Sequence, residues 1–238
     1  MPFRFIDLFA GIGGSRRRVG RAGERFHRRP VSVSRAARLR ELAAAKRRIA
    51  SADPAFTEPI KRLAPCTFGL QKSTQTNYQS LVRAVIAQQV SVAAAKTIYG
   101  RLQERCAGSI TPPRVSALSP RELQSVGLTT AKVRTIHELT AGVLSGEVPL
   151  KRFTYMSDEA IIEALIPLFG IGRWTAEMFL IFQLGRLDVW PVDDLAVRRG
   201  WDVLHQNAKP TSAKDLRSFG EPFAGMRSVA AWYCWRAS

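Results

Sequence analysis

Past residue 50, apolar residues recur three and four positions apart through most of the chain. Ile161, Ile162, Leu165 and Leu168 form one such face, and Thr175, Ala176, Phe179 and Leu180 form another directly after it. This is the period of a helix with one buried stripe. The pattern predicts helices near 54–64, 77–88, 91–105, 120–126, 130–145, 157–168, 173–184, 193–205, 212–219 and 226–236. Ser91, Ser119, Ser157, Asp193 and Thr211 are the expected N-caps, because a short oxygen-bearing side chain can take up first-turn amides. Thr111-Pro112-Pro113, Gly146, Pro149 and Pro210 read as breaks. No alternating run past residue 50 is long enough for a sheet, so the expected fold class is all-α.

The stretch from 165 to 199 departs from simple amphipathic repetition. One apolar helix stops at Gly170-Ile171-Gly172 and the next begins at once. Two glycines around one apolar residue permit a hairpin tight enough to leave backbone N–H groups exposed at a helix start. Those amides, with the positive end of the helix dipole, form a site for an anion such as a phosphate. About twenty residues later Asp193-Asp194 follows the Pro191 break. A backbone grip on phosphate beside an acidic pair points to chemistry on nucleic acid rather than to base-sequence readout.

Composition agrees. The formal charge of the 238-residue chain is +17 and its pI is about 10.9, which favours a polyanionic partner. The charge is uneven. Residues 1–50 carry 14 Lys/Arg against 3 Asp/Glu, and residues 51–238 carry 22 against 16, so the core is only moderately basic. Three scattered cysteines, Cys66, Cys106 and Cys234, make neither a disulfide framework nor a metal cluster. His27, His137 and His205 lack metal-ligand spacing, and no metal site is expected among side chains. No apolar stretch approaches the length of a membrane span and the start lacks a secretory apolar segment, so a cytoplasmic protein with no membrane partner is expected.

Five co-ordered segments resemble the helix-hairpin-helix DNA glycosylase superfamily, in particular its 3-methyladenine DNA glycosylase II branch. They are Leu81 to Ser91 (LVRAVIAQQVS), Gly127 to Lys132 (GLTTAK), Leu168 to Ala176 (LFGIGRWTA), Pro191 to Asp194 (PVDD) and Arg227 to Trp235 (RSVAAWYCW). The resemblance spans roughly 51–238. It implies two helical lobes, a middle one near 77–184 and a second from 51–76 plus 185–238, with the Asp193-Asp194 loop in the cleft between them. The implied activity is that of a monofunctional glycosylase of base excision repair. Such an enzyme flips an alkylated purine such as 3-methyladenine out of double-stranded DNA and hydrolyses its N-glycosidic bond. A monomer associated with the bacterial nucleoid is expected.

The resemblance also assigns residues. Asp194 matches the catalytic aspartate, placed to stabilise charge developing on the sugar and to orient water, which leaves Asp193 as the helix cap. Relatives that also cleave the backbone carry a lysine where this chain has Trp174, so no lyase activity is expected, and the four cysteines of an iron–sulfur cluster are missing. An aromatic pocket would select a cationic base by stacking and cation–π attraction. Trp174 and Tyr78 are its candidates, with Trp190, Trp232, Tyr233 and Trp235 behind them. Met226 stands where one relative has an aromatic residue, and Phe223 is the candidate to replace that wall. DNA contacts are expected from Gly170, Gly172, Arg173, Thr175 and Arg227, and from Gln88, Gln89 and Val90, where Gln89 or Val90 would wedge into the base stack. No cofactor is required, although similar hairpins often hold a monovalent or magnesium ion on backbone carbonyls.

The first fifty residues stand apart. Phe3 to Gly14 (FRFIDLFAGIGG) resembles the first motif of DNA cytosine-5 methyltransferases, which lies against S-adenosylmethionine, but an arginine run follows in place of the rest of that fold. A non-catalytic fragment within a basic extension is expected, with residues 15–40 largely disordered and Arg35–Ile49 forming a basic helix into the core. Two other classes fit part of the pattern: a non-enzymatic hairpin DNA-binding protein, and a methyltransferase remnant.

Overall fold

The computed structural model describes residues 34–71 and 73–238. The methyltransferase-like motif at 3–14, the arginine run and His27 lie outside them. Among the described residues twelve α-helices form and no strand does. In chain order they are α1 (Arg35–Ala52), α2 (Thr57–Arg62), α3 (Asn77–Ala87), α4 (Val92–Arg105), α5 (Pro112–Ser116), α6 (Pro120–Ser125), α7 (Thr130–Ser145), α8 (Asp158–Leu165), α9 (Arg173–Phe182), α10 (Leu195–His205), α11 (Ala213–Phe219) and α12 (Arg227–Ala237).

Local chemistry explains the boundaries. Thr76 with Gln79 and Ser119 with Glu122 close reciprocal capping boxes on α3 and α6. Ser91, Thr129 and Ser157 cap α4, α7 and α8, and Gly146 ends α7 in the left-handed region at φ 87°. Two expected caps move by one residue: Ser212, not Thr211, caps α11, and Asp194, not Asp193, caps α10. The Thr111-Pro112-Pro113 break opens a short helix instead, because proline at the first helical positions lacks only an N–H that would have had no acceptor.

Helices α3 to α9 make the middle lobe around Leu81, Val85, Leu102, Val133, Ile136, Leu139, Leu165 and Phe179, all buried. The second lobe holds α1, α2 and α10 to α12. Its centre is Phe56, whose ring packs edge-on against Phe223 at 5.4 Å and tilted against Trp201 at 6.0 Å. Fully burying a Phe side chain is worth about 1.5–3 kcal/mol. Helices α10 and α12 approach so closely that any side chain at Gly200 would run into the carbonyl of Cys234.

Helix α1 corrects the expected division at residue 50. It runs unbroken through that point and buries Leu42, Ala45 and Ile49 against the second lobe. It also begins at Arg35, so 35–40 are ordered helix. A regular stripe of apolar residues at 42, 45 and 49 gives an otherwise basic helix something to bury.

The chain crosses between the lobes twice, and the crossings are tied together. Gln183 Nε2 on the outgoing crossing donates to the Gln75 carbonyl at 3.0 Å and to Asn77 Oδ1 at 3.2 Å on the incoming one. Gly69 and Gly185 meet backbone to backbone nearby; a Cβ on Gly185 would sit 2.9 Å from Gly69 Cα. Phe68 packs edge-on against Phe182, Trp232 and Trp235.

Candidate active site

The hairpin forms as the glycine spacing predicts. Gly170 sits at φ 74°, a conformation that favours glycine, with Thr135 of α7 packed where a side chain would go. Ile171 is buried and pins the loop from within. Gly172 is the N-cap of α9 and has no side chain to take up first-turn amides, while Gly172 and Arg173 are exposed. This end of α9 therefore presents backbone N–H groups and dipole outward, the arrangement that binds an anion.

Across the cleft, the N–H of Asp194 bonds to the Pro191 carbonyl at 3.1 Å, closing a turn that leaves Asp193 exposed on the outside. Asp194 points inward and is 6% exposed. Its Oδ1 accepts the Val197 amide at 2.9 Å and Trp235 Nε1 at 3.0 Å, and its Oδ2 accepts Trp174 Nε1 at 2.8 Å. The residue expected to act on the substrate is thus also the helix cap. The role given to Asp193 is corrected by the turn at Pro191, which decides which of the two neighbours faces the helix. Ser228 secures the approach to this turn, donating to the Val189 carbonyl and accepting the Val189 amide.

The aromatic candidates separate. Trp174 is half-buried, with its N–H on Asp194. Trp235, ranked behind it by sequence, shares the same carboxylate. Tyr78 is 4% exposed and its hydroxyl bonds to Thr140 at 2.7 Å, which packs it into the middle-lobe core. Burial pushes its phenol pKa up. Phe223 is 1% exposed in the Phe56 cluster of the second-lobe core, and Trp190, half-buried like Trp174, packs beside it with its indole N–H on the Leu216 carbonyl. An aromatic stripe at helical spacing looks the same whether it faces a core or a cleft.

The polar candidates also divide. Arg173 forms a two-pronged pair with Glu159 at 2.9 and 2.7 Å and reaches Glu177 at 3.3 Å. Arg227 bonds to the Gly220 carbonyl and pairs with Asp188 and Glu221. Both guanidinium groups are paired with carboxylates within the fold, and Arg173 stays exposed beside the hairpin. Thr175 is buried and accepts Gln88 Nε2. Gln88 also donates to the Gly170 carbonyl at 3.1 Å, and Val90 packs against the core. Of these three loop residues Gln89 is the exposed one, at φ 57°.

One residue near the site escaped sequence reasoning. Glu177, three residues along α9 from Trp174, is 5% exposed, and its Oε2 is buried without a hydrogen-bond partner. Burial, opposed in part by Arg173 and reinforced by Asp193, pushes its pKa up to about 7. A lone glutamate on an apolar helix carries no motif that would have revealed it. Among the described residues no group of three or more His, Cys, Asp or Glu is placed to hold a metal ion.

Residues 82–223 match the family described as HhH-GPD superfamily base excision DNA repair protein. DNA-3-methyladenine glycosylase 1 of Schizosaccharomyces pombe is 35% identical over 164 residues, covering 68% of this chain and 72% of that protein. Among solved structures, the 3-methyladenine DNA glycosylase of Schizosaccharomyces pombe in complex with abasic DNA superposes with a TM-score of 0.71 at 30% identity, covering 81% of this chain and 95% of that one. The DNA-3-methyladenine glycosidase of Bacillus halodurans gives a TM-score of 0.74 at 31% identity, with coverages of 81% and 88%.

Proposed function

The chain belongs to the HhH-GPD superfamily of base excision DNA repair proteins, and on that footing we propose that it is a monofunctional DNA glycosylase releasing alkylated purines such as 3-methyladenine from double-stranded DNA. The observation that carries the reading is the placement of Asp194, held by two indoles and a backbone amide opposite the anion-binding end of α9.

In the reaction the C1′–N bond breaks and its electron pair leaves with the base, which departs neutral when the alkylated purine began as a cation. Positive charge then spreads over C1′ and the ring oxygen. The Asp194 carboxylate stabilises that charge, and a preorganised contact of this kind contributes about 3–4 kcal/mol. Water adds to C1′, and its proton passes to solvent or through Asp194. The hydrogen bonds on Asp194 fix its direction before substrate arrives, so little reorganisation is needed at the moment of bond breaking. Trp174 has no amine with which to form a Schiff base, so the product is an intact strand with an abasic site.

Phosphate anchoring is assigned to the amides around Gly170, Gly172 and Trp174. The hairpin carbonyls suit a hard cation, but those of Gly170 and Gly172 already accept Gln88 Nε2 and the Ala176 amide. The loop thus fits an ion only partly, and no step uses one. No helix among the described residues is long and apolar enough to cross a membrane; work on chromosomal DNA, as a monomer in the cytoplasmic nucleoid, is the setting the reading implies. The test is base release from single-lesion duplexes. Alkali-labile abasic sites without direct nicking are expected, whereas strand cleavage or borohydride trapping would contradict the monofunctional assignment.

A further inference from the structure

Lys132 lies in the first turn of α7, and the chemistry above does not use it. Its Nζ donates to the Ile86 carbonyl at 2.7 Å and to the Gln88 carbonyl at 2.8 Å. These are acceptors at the end of α3, where a helix leaves its last carbonyls without internal partners. Burial lowers the pKa of the lysine, a sign that the ammonium is withdrawn from water to reach them. The next residue, Gln89, is exposed and held at φ 57°, in a region that side-chain-bearing residues seldom adopt.

The same loop is tied from the other side. Gln88 Nε2 donates to the Gly170 carbonyl and the Thr175 hydroxyl, and Gly170 rests on Thr135, three residues along α7 from Lys132. A single face of α7 thus braces the α3–α4 loop through Lys132 and the hairpin through Thr135, while Gln88 bridges the two. The exposed residue that directly follows these tethers is Gln89.

We infer that Lys132 is a positioning residue for nucleotide extrusion: it clamps the Gln88-Gln89 turn to the frame that carries the phosphate-gripping hairpin, so that Gln89 meets the base stack at a fixed distance from the anchored backbone. The inference rests on the glycosylase reading. It assigns Lys132 to the unstacking step and not to cleavage of the glycosidic bond, because its ammonium is directed to α3 carbonyls and not to Asp194.

The test uses the full chain and a duplex carrying 2-aminopurine beside an alkylated purine, followed by stopped-flow fluorescence for unstacking and by single-turnover base release. Lys132→Met keeps a long apolar stem without the charge, and Lys132→Arg keeps a cation. Lys132→Met should slow unstacking and base release together by at least about tenfold, with affinity for an abasic-site duplex changed less than about threefold, and Lys132→Arg should recover most of the unstacking rate. Unstacking at the wild-type rate in Lys132→Met would overturn the inference, whether or not base release falls. If Lys132→Met does not fold, Gln88→Ala removes the opposite tether and must show the same slowed unstacking, or the inference fails. Unstacking without base release by the wild-type protein would instead defeat the glycosylase reading and leave the Lys132 comparison intact.

Discussion

The indole Nε1 of Trp174 lies 2.8 Å from Oδ2 of Asp194, joining the first turn of α9 to the residue that caps α10. The anion-binding end of one helix and the carboxylate at the start of another are thereby held by one hydrogen bond across the lobe junction. Trp174→Phe keeps an aromatic face for stacking and deletes that bond. A hydrogen bond to a charged group is worth about 1.5–3 kcal/mol, so single-turnover base release should fall roughly 10- to 100-fold with little change in DNA affinity. Trp174→Ala should in addition weaken selection of cationic purines by about 1–3 kcal/mol, the scale of one base–aromatic stack. Equal rates for Trp174→Phe and wild type would show that the bond does not serve the reaction.

Glu177 predicts a pH dependence of stability. Its pKa is raised in the folded chain from the ordinary 4.5 to about 7. Between those values the unfolded chain has lost the proton while the folded chain retains it, so stability falls as pH rises through that window. The loss should reach about 3 kcal/mol above pH 7, and Glu177→Gln should remove it. Denaturant titrations from pH 4.5 to 8 measure the difference between the two proteins, and a difference that stays constant across the range would contradict the assignment.

Asp193 and Asp194 should behave in opposite ways on truncation. Asp194→Ala removes a helix cap and should cost about 1 kcal/mol or more of stability. Asp193→Ala, at an exposed position outside the turn, should stay within about 0.5 kcal/mol. Chemical denaturation of both variants decides which of them caps α10.

The amino-terminal region should divide at the start of α1. Deleting residues 1–33 removes eight Lys/Arg, so affinity for undamaged DNA should drop and lose part of its salt dependence, while base release continues. Deleting residues 1–50 also removes the buried Leu42, Ala45 and Ile49, each large apolar side chain being worth about 1.5–3 kcal/mol. The melting temperature of the longer deletion should fall well below that of the shorter; equal melting temperatures would show that α1 contributes nothing to the core.

Periodicity located the helices because each buries one stripe, and Gly170-Ile171-Gly172 located the hairpin because its backbone conformation needs glycine. What sequence could not supply was direction. Tyr78 and Phe223 have the chemistry of a pocket wall, and only the packing of whole helices shows how deeply each is buried. Trp235 lies three residues from Trp232 on α12, and nothing in that spacing shows which indole meets Asp194. Capping moved from Asp193 to Asp194 because a turn of four residues, not residue type, decides which carboxylate faces the amides. Nothing in the sequence shows that Arg173 and Arg227 pair with Glu159, Glu177, Asp188 and Glu221, which the fold brings beside them.

The central claim is that the Asp194 carboxylate acts on the sugar, and Asp194→Asn tests it most directly. The amide keeps the size of the side chain and much of its capping ability while removing the negative charge. Single-turnover release of 3-methyladenine should fall by about two to three orders of magnitude, with binding to an abasic-site duplex preserved. An Asp194→Asn protein that folds and releases the base at the wild-type rate would contradict the account.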